Sequence, residues 1–176
     1  MNTITRLGWT ALILAAAVVV VDQAAKYWIL SVLNLPLKGS VPAGPLAFTM
    51  VWNPGVSFGF LQGQQQFVRW LLAAFSITVA VLLATWVRKA ERPLFATSVG
   101  LVIGGAVGNV IDRVRLGAVA DFIDLRPITA GLFPWIINLA DASISVGICL
   151  LLLDMLRQDG RERAAKTPNT VGKDAA

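Results

Sequence analysis

Four long apolar segments dominate the pattern of hydrophobic and polar positions along the chain. They cover residues 7–33, 70–87, 93–111 and 134–156. The two middle segments carry no charged residue, whereas Asp22 and Lys26 interrupt the first and Asp141 and Asp154 interrupt the last. A helix needs about 20 mainly apolar residues to cross the hydrocarbon core of a bilayer. The pattern therefore predicts four membrane-spanning helices.

Two of the connections between these spans are too long for a simple turn. The first, residues 36–67, contains the β-branched and aromatic run Leu46–Trp52, followed by the turn signal Asn53-Pro54-Gly55. We therefore expect a small β-sheet on the membrane surface. The second, residues 112–133, carries several charges, and a charged connection of this length indicates a functional role.

The composition supports a membrane protein. Of the 176 residues, 56% are hydrophobic and 14% are charged, with a mean hydropathy of +0.70. Soluble domains average about 45–50% apolar and about 25% charged residues. A soluble domain of this length could not bury so much apolar surface. We expect one polytopic membrane domain over residues 1–158, followed by a polar, disordered cytoplasmic tail over residues 159–176.

The residue inventory excludes several kinds of chemistry. The chain has no histidine and one cysteine, Cys149, so Ser-His-Asp and Cys-His triads and intrachain disulfides are excluded. We expect no metal site and no cofactor. The net charge of +5 would suit a nucleic-acid binder. The basic residues lie between apolar runs, however, which is typical of membrane-flanking charge, and we expect no nucleic-acid partner.

The distribution of lysine and arginine predicts the orientation of the spans. Nine of the fifteen cations fall on one side of a four-span arrangement: Arg6, Arg88, Lys89, Arg92, Arg157, Arg161, Arg163, Lys166 and Lys173. Loops and tails rich in lysine and arginine stay in the cytoplasm, so both termini are expected there. A cleaved signal peptide at the N-terminus is the alternative, but the apolar sequence continues past Asp22 and Lys26.

In this orientation the polar residues of three spans reach the same depth, near the outer interface. Ionisable residues within spans usually have a function. The converging residues are Asp22 and Lys26 on the first span, Asn109, Asp112 and Arg113 on the third, and Asn138 and Asp141 on the fourth. Asp22 and Lys26 are four residues apart and can pair on one helical face. Glycines 100, 104, 105 and 108 are spaced for close packing of the third span against its neighbours.

The available side chains favour chemistry that uses carboxylates. Two neighbouring carboxylates share one proton, so one can activate water while the other protonates the substrate. An aspartic dyad can therefore hydrolyse an amide bond. The residues alone leave the pair open among Asp22, Asp112, Asp121, Asp124 and Asp141. A Ser-Lys dyad that uses Lys26 remains an alternative, although no partner serine is evident.

Five motifs resemble those of the bacterial lipoprotein signal peptidases, also called signal peptidase II. In chain order they are Asp22-Gln23-Ala24-Ala25-Lys26, Asn53-Pro54-Gly55-Val56-Ser57-Phe58, Gly104-Gly105-Ala106-Val107-Gly108-Asn109-Val110-Ile111-Asp112-Arg113, Val119-Ala120-Asp121-Phe122-Ile123-Asp124 and Asn138-Leu139-Ala140-Asp141. The resemblance covers residues 7–156. Ala120 is a mild departure, because many relatives have valine there.

The resemblance implies an intramembrane aspartic endopeptidase. Such enzymes remove the signal peptide of diacylglyceryl-modified prolipoproteins by cleaving just before the lipidated cysteine. Carried over by motif, the catalytic dyad is Asp121 and Asp141. The supporting residues are Asp22, Lys26, Asn53, Gly105, Asn109, Arg113, Asn138 and Ala140. Asp112 and Asp124 are expected to be helix-end or surface charges without a catalytic role.

The same resemblance implies an all-α membrane fold with four transmembrane helices, a small extracytoplasmic β-cradle and a short outer helix. The expected location is the bacterial cytoplasmic (inner) membrane, with the active site near the outer leaflet. The expected partners are prolipoprotein substrates and membrane lipid, and the expected state is a monomer.

Two alternative functions are a proton-coupled transporter and a membrane scaffold. A proton-coupled transporter would use the aspartates as a relay. The absence of an internal repeat and the position of the polar groups away from the midplane argue against it. A membrane scaffold would use the polar residues only to hold helices together, and it would tolerate aspartate-to-asparagine changes.

Overall fold

The computed structural model describes residues 3–55 and 65–166, and four of its helices are long and apolar enough to cross a membrane. These are α1 (Arg6–Tyr27), which continues as a π-helix over Trp28–Val32, α3 (Gln65–Val87), α4 (Pro93–Leu116) and α6 (Leu139–Lys166). The prediction of four spans is confirmed. Two four-residue helices, α2 (Leu35–Lys38) and α5 (Arg126–Thr129), lie in the long connections, where the resemblance implied one short outer helix.

The ends of the helices differ from the apolar boundaries in the sequence. Helix α4 runs past Asp112 to Leu116, because Lys26 neutralises the Asp112 carboxylate at 2.8 Å. Helix α6 begins at Leu139, five residues later than the apolar run. It extends to Lys166, so residues 159–166, expected in a disordered tail, are helical; this stretch is rich in the good helix formers alanine, arginine and lysine. Residues 167–176 lie outside the described part of the chain.

Helix α4 is the central helix, and α1, α3 and α6 pack around it. Most of α4 is buried, whereas the other three spans expose large apolar side chains such as Phe75, Leu82 and Leu152. Without a membrane these faces would be an extensive apolar surface in water, so they are the surfaces that contact lipid. The glycines of α4 permit this packing, since a Cβ at Gly104 would lie 2.7 Å from the Ala15 carbonyl oxygen.

The two long connections form one antiparallel sheet in the order β1-β2-β3-β4, which confirms the expected cradle. Its strands are β1 (Ser40–Ala43), β2 (Leu46–Asn53), β3 (Val119–Asp124) and β4 (Ile136–Ile137). Strand β2 pairs with β3 so that Val51 lies opposite Asp121, after an irregularity between Phe48 and Val51. The sheet rests on the end of α1, where Phe48 makes edge contacts with Trp28 and Phe122.

Three segments of the chain meet at the end of the molecule opposite the sheet. Thr5 caps α1 by accepting from Gly8 N at 3.0 Å, and its hydroxyl donates to Ala90 O at 2.8 Å. Arg92, in the turn between α3 and α4, forms an ion pair of 2.7 Å with Asp154 of α6. The start of α1, the α3–α4 turn and the far end of α6 therefore lie together, and the sheet lies at the other end of the spans.

Candidate active site

Asn138 brings Asp121 and Asp141 together at the junction of β3 and α6. Its Nδ2 donates to Asp121 Oδ1 at 2.6 Å, and its Oδ1 accepts from Asp141 N at 2.9 Å. Asp141 Oδ2 in turn accepts from Asn138 N at 3.3 Å. This reciprocal pattern is a capping box at the first turn of α6, so the fold that starts the helix also fixes the Asp141 carboxylate.

Asp121 is buried in β3, with 2% of its surface exposed. Asn53, at the end of the neighbouring strand β2, donates from Nδ2 to Asp121 Oδ2 at 3.0 Å. Burial and the nearby Asp141 carboxylate raise the pKa of Asp121 from 3.8 to about 6, although hydrogen bonds from Asn53 and Asn138 act in the opposite direction. Asp121 therefore holds a proton at a pH where an ordinary aspartate has lost it. We call Asp121 and Asp141 the dyad.

Asn109 of α4 connects the dyad to the buried lysine of α1. Its Nδ2 donates to Asp141 Oδ1 at 2.7 Å, and its Oδ1 accepts from Lys26 Nζ at 3.3 Å and from Asn138 Nδ2 at 3.2 Å. The three bonds fix which end of the amide faces Asp141. Asn109 thus holds the dyad in place from helix α4.

Lys26 forms a buried centre with two carboxylates. Its Nζ lies 2.8 Å from Asp22 Oδ2 and 2.8 Å from Asp112 Oδ2, and all three side chains are at most 3% exposed. We call these three residues the lysine centre. The expectation that Asp112 is a helix-end or surface charge was wrong, because α4 continues past it and carries it into the contact between α1 and α4. Gln23, also missed from the sequence, donates to Asp112 Oδ1 at 3.0 Å.

The lysine centre also holds the backbone next to each member of the dyad. Asp112 Oδ2 accepts from Ala120 N at 3.1 Å, and Asp22 Oδ1 accepts from Ala140 N at 3.0 Å. Each of these amides belongs to the residue directly before a dyad aspartate. Ala140 and the fully buried Ala120 therefore contribute through their backbone amides.

Glycines on α4 make room for these contacts. A Cβ at Gly108 would lie 2.6 Å from Asp22 Oδ2, and a Cβ at Gly105 would collide with the Ala140 carbonyl oxygen. At Gly105 the obstacle is backbone, so a side chain there would push the start of α6 away from α4, whereas at Gly108 it would push against the buried Asp22 carboxylate. Gly105, predicted as a supporting residue, thus acts by allowing helices to approach.

Arg113 lies at the dyad with part of its donor capacity unused. Its Nη1 donates to Asn109 O at 3.3 Å, and its charge interacts with both Asp121 and Asp141. Within the described residues, its buried Nε has no hydrogen-bond partner. Its Nη2 faces Gly55, where a φ of +90° follows the turn in which Asn53 Oδ1 accepts from Gly55 N at 2.8 Å. Val56, Ser57 and Phe58 of the same motif lie outside the described residues.

Asp124 differs from the dyad although it is close in sequence. It is buried, not a surface charge as expected, and its carboxylate pairs with Arg126 at 2.6 Å and accepts from Thr49 Oγ1 at 3.0 Å. Hydrogen bonds from Arg126 lower the pKa of Asp124 from 3.8 to about 2. This carboxylate stays ionised and serves the connection between β2, β3 and α5.

The ion-pair partners distinguish the five aspartates among which the sequence could not identify the dyad. Asp22 and Asp112 each have Lys26 as an ion-pair partner, and Asp124 has Arg126. Among the described residues, Asp121 and Asp141 have no cation within ion-pair distance and share Asn138 instead. Lys26 has two carboxylates and Asn109 as partners and no serine hydroxyl among its described hydrogen bonds, which argues against a Ser-Lys dyad.

Comparison with known proteins gives the family. Residues 14–157 match the family model described as Signal peptidase (SPase) II. The lipoprotein signal peptidase of Caulobacter vibrioides is 49% identical, with 94% of this chain and 97% of that protein covered. That of Methylobacterium sp. (strain 4-46) is 41% identical, with 88% and 93% covered. A solved structure of a bacterial membrane enzyme has a TM-score of 0.73 at 28% identity and covers 98% of this chain and 99% of that one. The match over most of the length shows that this chain belongs to the signal peptidase II family.

Proposed function

We propose that Asp121 and Asp141 are the catalytic dyad with which this protein cleaves the signal peptide from diacylglyceryl-modified prolipoproteins. Its family makes it a signal peptidase, an aspartic-type hydrolase that removes signal peptides from prolipoproteins. The observation that carries the assignment is Asn138, which binds the carboxylate of Asp121 and shares a capping box with Asp141. No other pair among the five aspartates combines such a link with the absence of an ion-pair partner in the described residues.

The two carboxylates take different roles. Asp141 lies in the first turn of α6 and accepts from Asn109 Nδ2 at 2.7 Å. These contacts hold the Asp141 carboxylate in place beside Asn138 and Asp121. Asp121, whose pKa is raised to about 6, carries the shared proton. Asp141 is therefore the general base and Asp121 the general acid in the first step.

Hydrolysis then proceeds with balanced proton transfers. Asp141 takes a proton from water while the water oxygen bonds to the scissile carbonyl carbon. At the same time Asp121 gives its proton to the carbonyl oxygen. When the tetrahedral intermediate collapses, the carbon–nitrogen bond breaks and Asp141 gives its proton to the leaving amine. Asp121 recovers its proton from the hydroxyl group that becomes the new carboxyl group, so the dyad is regenerated.

Arg113 is the group best placed to orient the substrate backbone. Asn109, the other candidate from the sequence, donates from Nδ2 to Asp141 and accepts with Oδ1 from Asn138 and Lys26, so these contacts fix its side chain. Arg113 keeps a buried Nε without a partner in the described residues. A backbone carbonyl of the signal peptide is the acceptor that this donor would meet, since an extended peptide presents such oxygens beside the scissile bond.

The position of the dyad suits a lipid-anchored substrate. The four apolar helices and the family make this a multi-pass bacterial membrane protein. The concentration of lysine and arginine at the end opposite the dyad supports cytoplasmic termini and an active site near the outer leaflet of the inner membrane.

The test is incubation of the purified protein in detergent with a prolipoprotein that carries the diacylglyceryl group and, in parallel, with the unmodified form. The proposal predicts a mobility shift on a gel for the lipidated substrate, with mass spectrometry placing the new N-terminus at the lipidated cysteine. Cleavage at another bond, or equal cleavage of both forms, would contradict the proposed specificity.

A further inference from the structure

Two adjoining cavities lie at the end of the molecule opposite the dyad, where the α3–α4 turn meets α6. Their volumes are about 700 and 460 Å³, and they share Glu91, Arg92 and Gln158. The cations in their lining are Lys89, Arg92, Arg157 and Arg161, which we call the basic pocket. Glu91 and Asp154 are the lining anions, so four positive charges against two negative ones leave +2. The charge favours an anionic ligand.

The N-terminus of α4 opens into the second cavity. Arg92 is the capping residue of this 24-residue helix but makes no side-chain capping bond, and Pro93, the first helical residue, has no amide hydrogen. Helix geometry leaves the amides of Leu94 and Phe95 without intrahelical acceptors. Arg92, Pro93 and Leu94 line the cavity. Partial positive charge at a helix N-terminus adds to the basic side chains around it and favours phosphate oxygens.

The basic pocket keeps positive charge in addition to the ion pair between Arg92 and Asp154. Asp154 is buried against Arg92 at 2.7 Å, and that arginine remains 41% exposed. Lys89, Arg157 and Arg161 are exposed, and none of them forms an ion pair within the described residues. Three cations therefore remain available around a fixed fourth, an arrangement that can contact several oxygens of one phosphate group.

Aromatic side chains place the basic pocket at the level of lipid headgroups. Trp86 and Phe95 line the first cavity, with ring centroids 4.8 Å apart, and 59% of the surface of Trp86 is exposed. Tryptophan at the end of a membrane span is typical of the interface between hydrocarbon and headgroups. A ligand in the cavity would therefore have both an anionic group for the arginines and acyl chains alongside Trp86.

We propose that the basic pocket binds the phosphodiester headgroup of an anionic membrane phospholipid. The phosphate would lie at the N-terminus of α4 between Arg92, Arg157 and Arg161, and the acyl chains would run along the surface beside Trp86. Such a lipid would join the α3–α4 turn to the far end of α6. The site is separate from the dyad, and its test does not depend on peptidase activity.

The experiment measures lipid binding to the purified full-length protein in non-ionic detergent by native mass spectrometry. The lipids are dioleoyl phosphatidylglycerol and dioleoyl phosphatidylcholine, with inorganic phosphate as a third arm. The test variant is Arg157→Gln with Arg161→Gln. The matched control is Arg6→Gln with Lys38→Gln, which removes two exposed cations outside the pocket. Circular dichroism without lipid checks that both variants are folded.

Phosphatidylglycerol is expected to bind the wild type and the control variant with the same affinity, and phosphatidylcholine more weakly. Each arginine near an anionic headgroup contributes about five-fold in affinity, so the test variant should bind about 25-fold more weakly. Three results would overturn the proposal: equal binding of both lipids, an equal loss in the control variant, or displacement of the lipid by millimolar inorganic phosphate. The last would assign the pocket to a free anion.

Discussion

Replacing Asp121 by asparagine should flatten the dependence of stability on pH. The Asp121 carboxyl group is buried near Asp141, and its pKa is raised from 3.8 to about 6. The folded protein therefore binds this proton more tightly than the unfolded chain. The resulting stability is fully present below about pH 3.8 and is lost as the pH rises through about 6. Each pKa unit corresponds to about 1.4 kcal/mol, so the loss is at most about 3 kcal/mol.

The informative quantity is the change in the free energy of unfolding with pH, and not its value at any one pH. Asp121 accepts one hydrogen bond from Asn53 and one from Asn138. Asparagine offers a single side-chain oxygen, so one of these amide donors would face an NH₂ group. This mismatch destabilises the variant by about 1–2 kcal/mol at every pH. A constant offset of this kind leaves the pH-dependent difference intact.

The assay compares thermal unfolding in detergent at pH 4.5, 6.0 and 7.5. Relative to Asp121→Asn, the wild type should lose about 2 kcal/mol between the first and last pH, because at pH 4.5 part of the full effect is already lost. Asp124→Asn is the matched control, because the pKa of Asp124 is lowered to about 2 and its stabilising effect is lost only as the pH falls through that value. Parallel pH profiles of the wild type and Asp121→Asn would refute the assignment of a shared proton to the dyad.

Three further predictions concern the lysine centre and the topology. Lys26→Ala should destabilise the protein by about 3–5 kcal/mol, because it leaves two buried carboxylates without their cation, and Lys26→Arg should be destabilised less. Thermal stability measured beside activity checks this. A fully stable but inactive Lys26→Ala would make Lys26 a chemical participant. Asp112→Asn should cost about 3 kcal/mol, and a loss below about 0.5 kcal/mol in chemical unfolding would return Asp112 to the surface charges. Reporter fusions at the C-terminus and within residues 38–45 should be active in the cytoplasm and outside it, respectively; the opposite pattern would invert the proposed orientation.

The spans were predictable because membrane hydrocarbon imposes a length and a composition on any helix that crosses it. Their ends were not, because charges there are neutralised by residues from other segments. Asp112 shows this directly: in the sequence it looks like a polar helix end, yet Lys26 from another helix neutralises it within α4. Similarly, the apolar run that precedes α6 is partly used by β4, since Ile136 and Ile137 pair with β3.

The sequence alone could not identify which two aspartates form the dyad, for a related reason. Five aspartates converge in the sequence pattern, and only their three-dimensional partners distinguish them. Lys26 and Arg126 pair with three of the five, whereas Asn138 links Asp121 to Asp141. The asparagine at the start of α6 with an aspartate three residues later is a capping-box signal that could have located this link.

The most direct test of the central claim is cleavage of diacylglyceryl prolipoprotein by Asp121→Asn, Asp141→Asn and the double variant, with Asp124→Asn as the control. Asparagine keeps the size of the side chain but cannot exchange a proton with water or the substrate. Because the dyad acts as a unit, each single variant should abolish cleavage almost as completely as the double variant while remaining folded and able to bind substrate. Asp124→Asn should retain substantial activity. A single dyad variant that keeps most of its activity, or an inactive Asp124→Asn beside an active Asp121→Asn, would contradict the assignment.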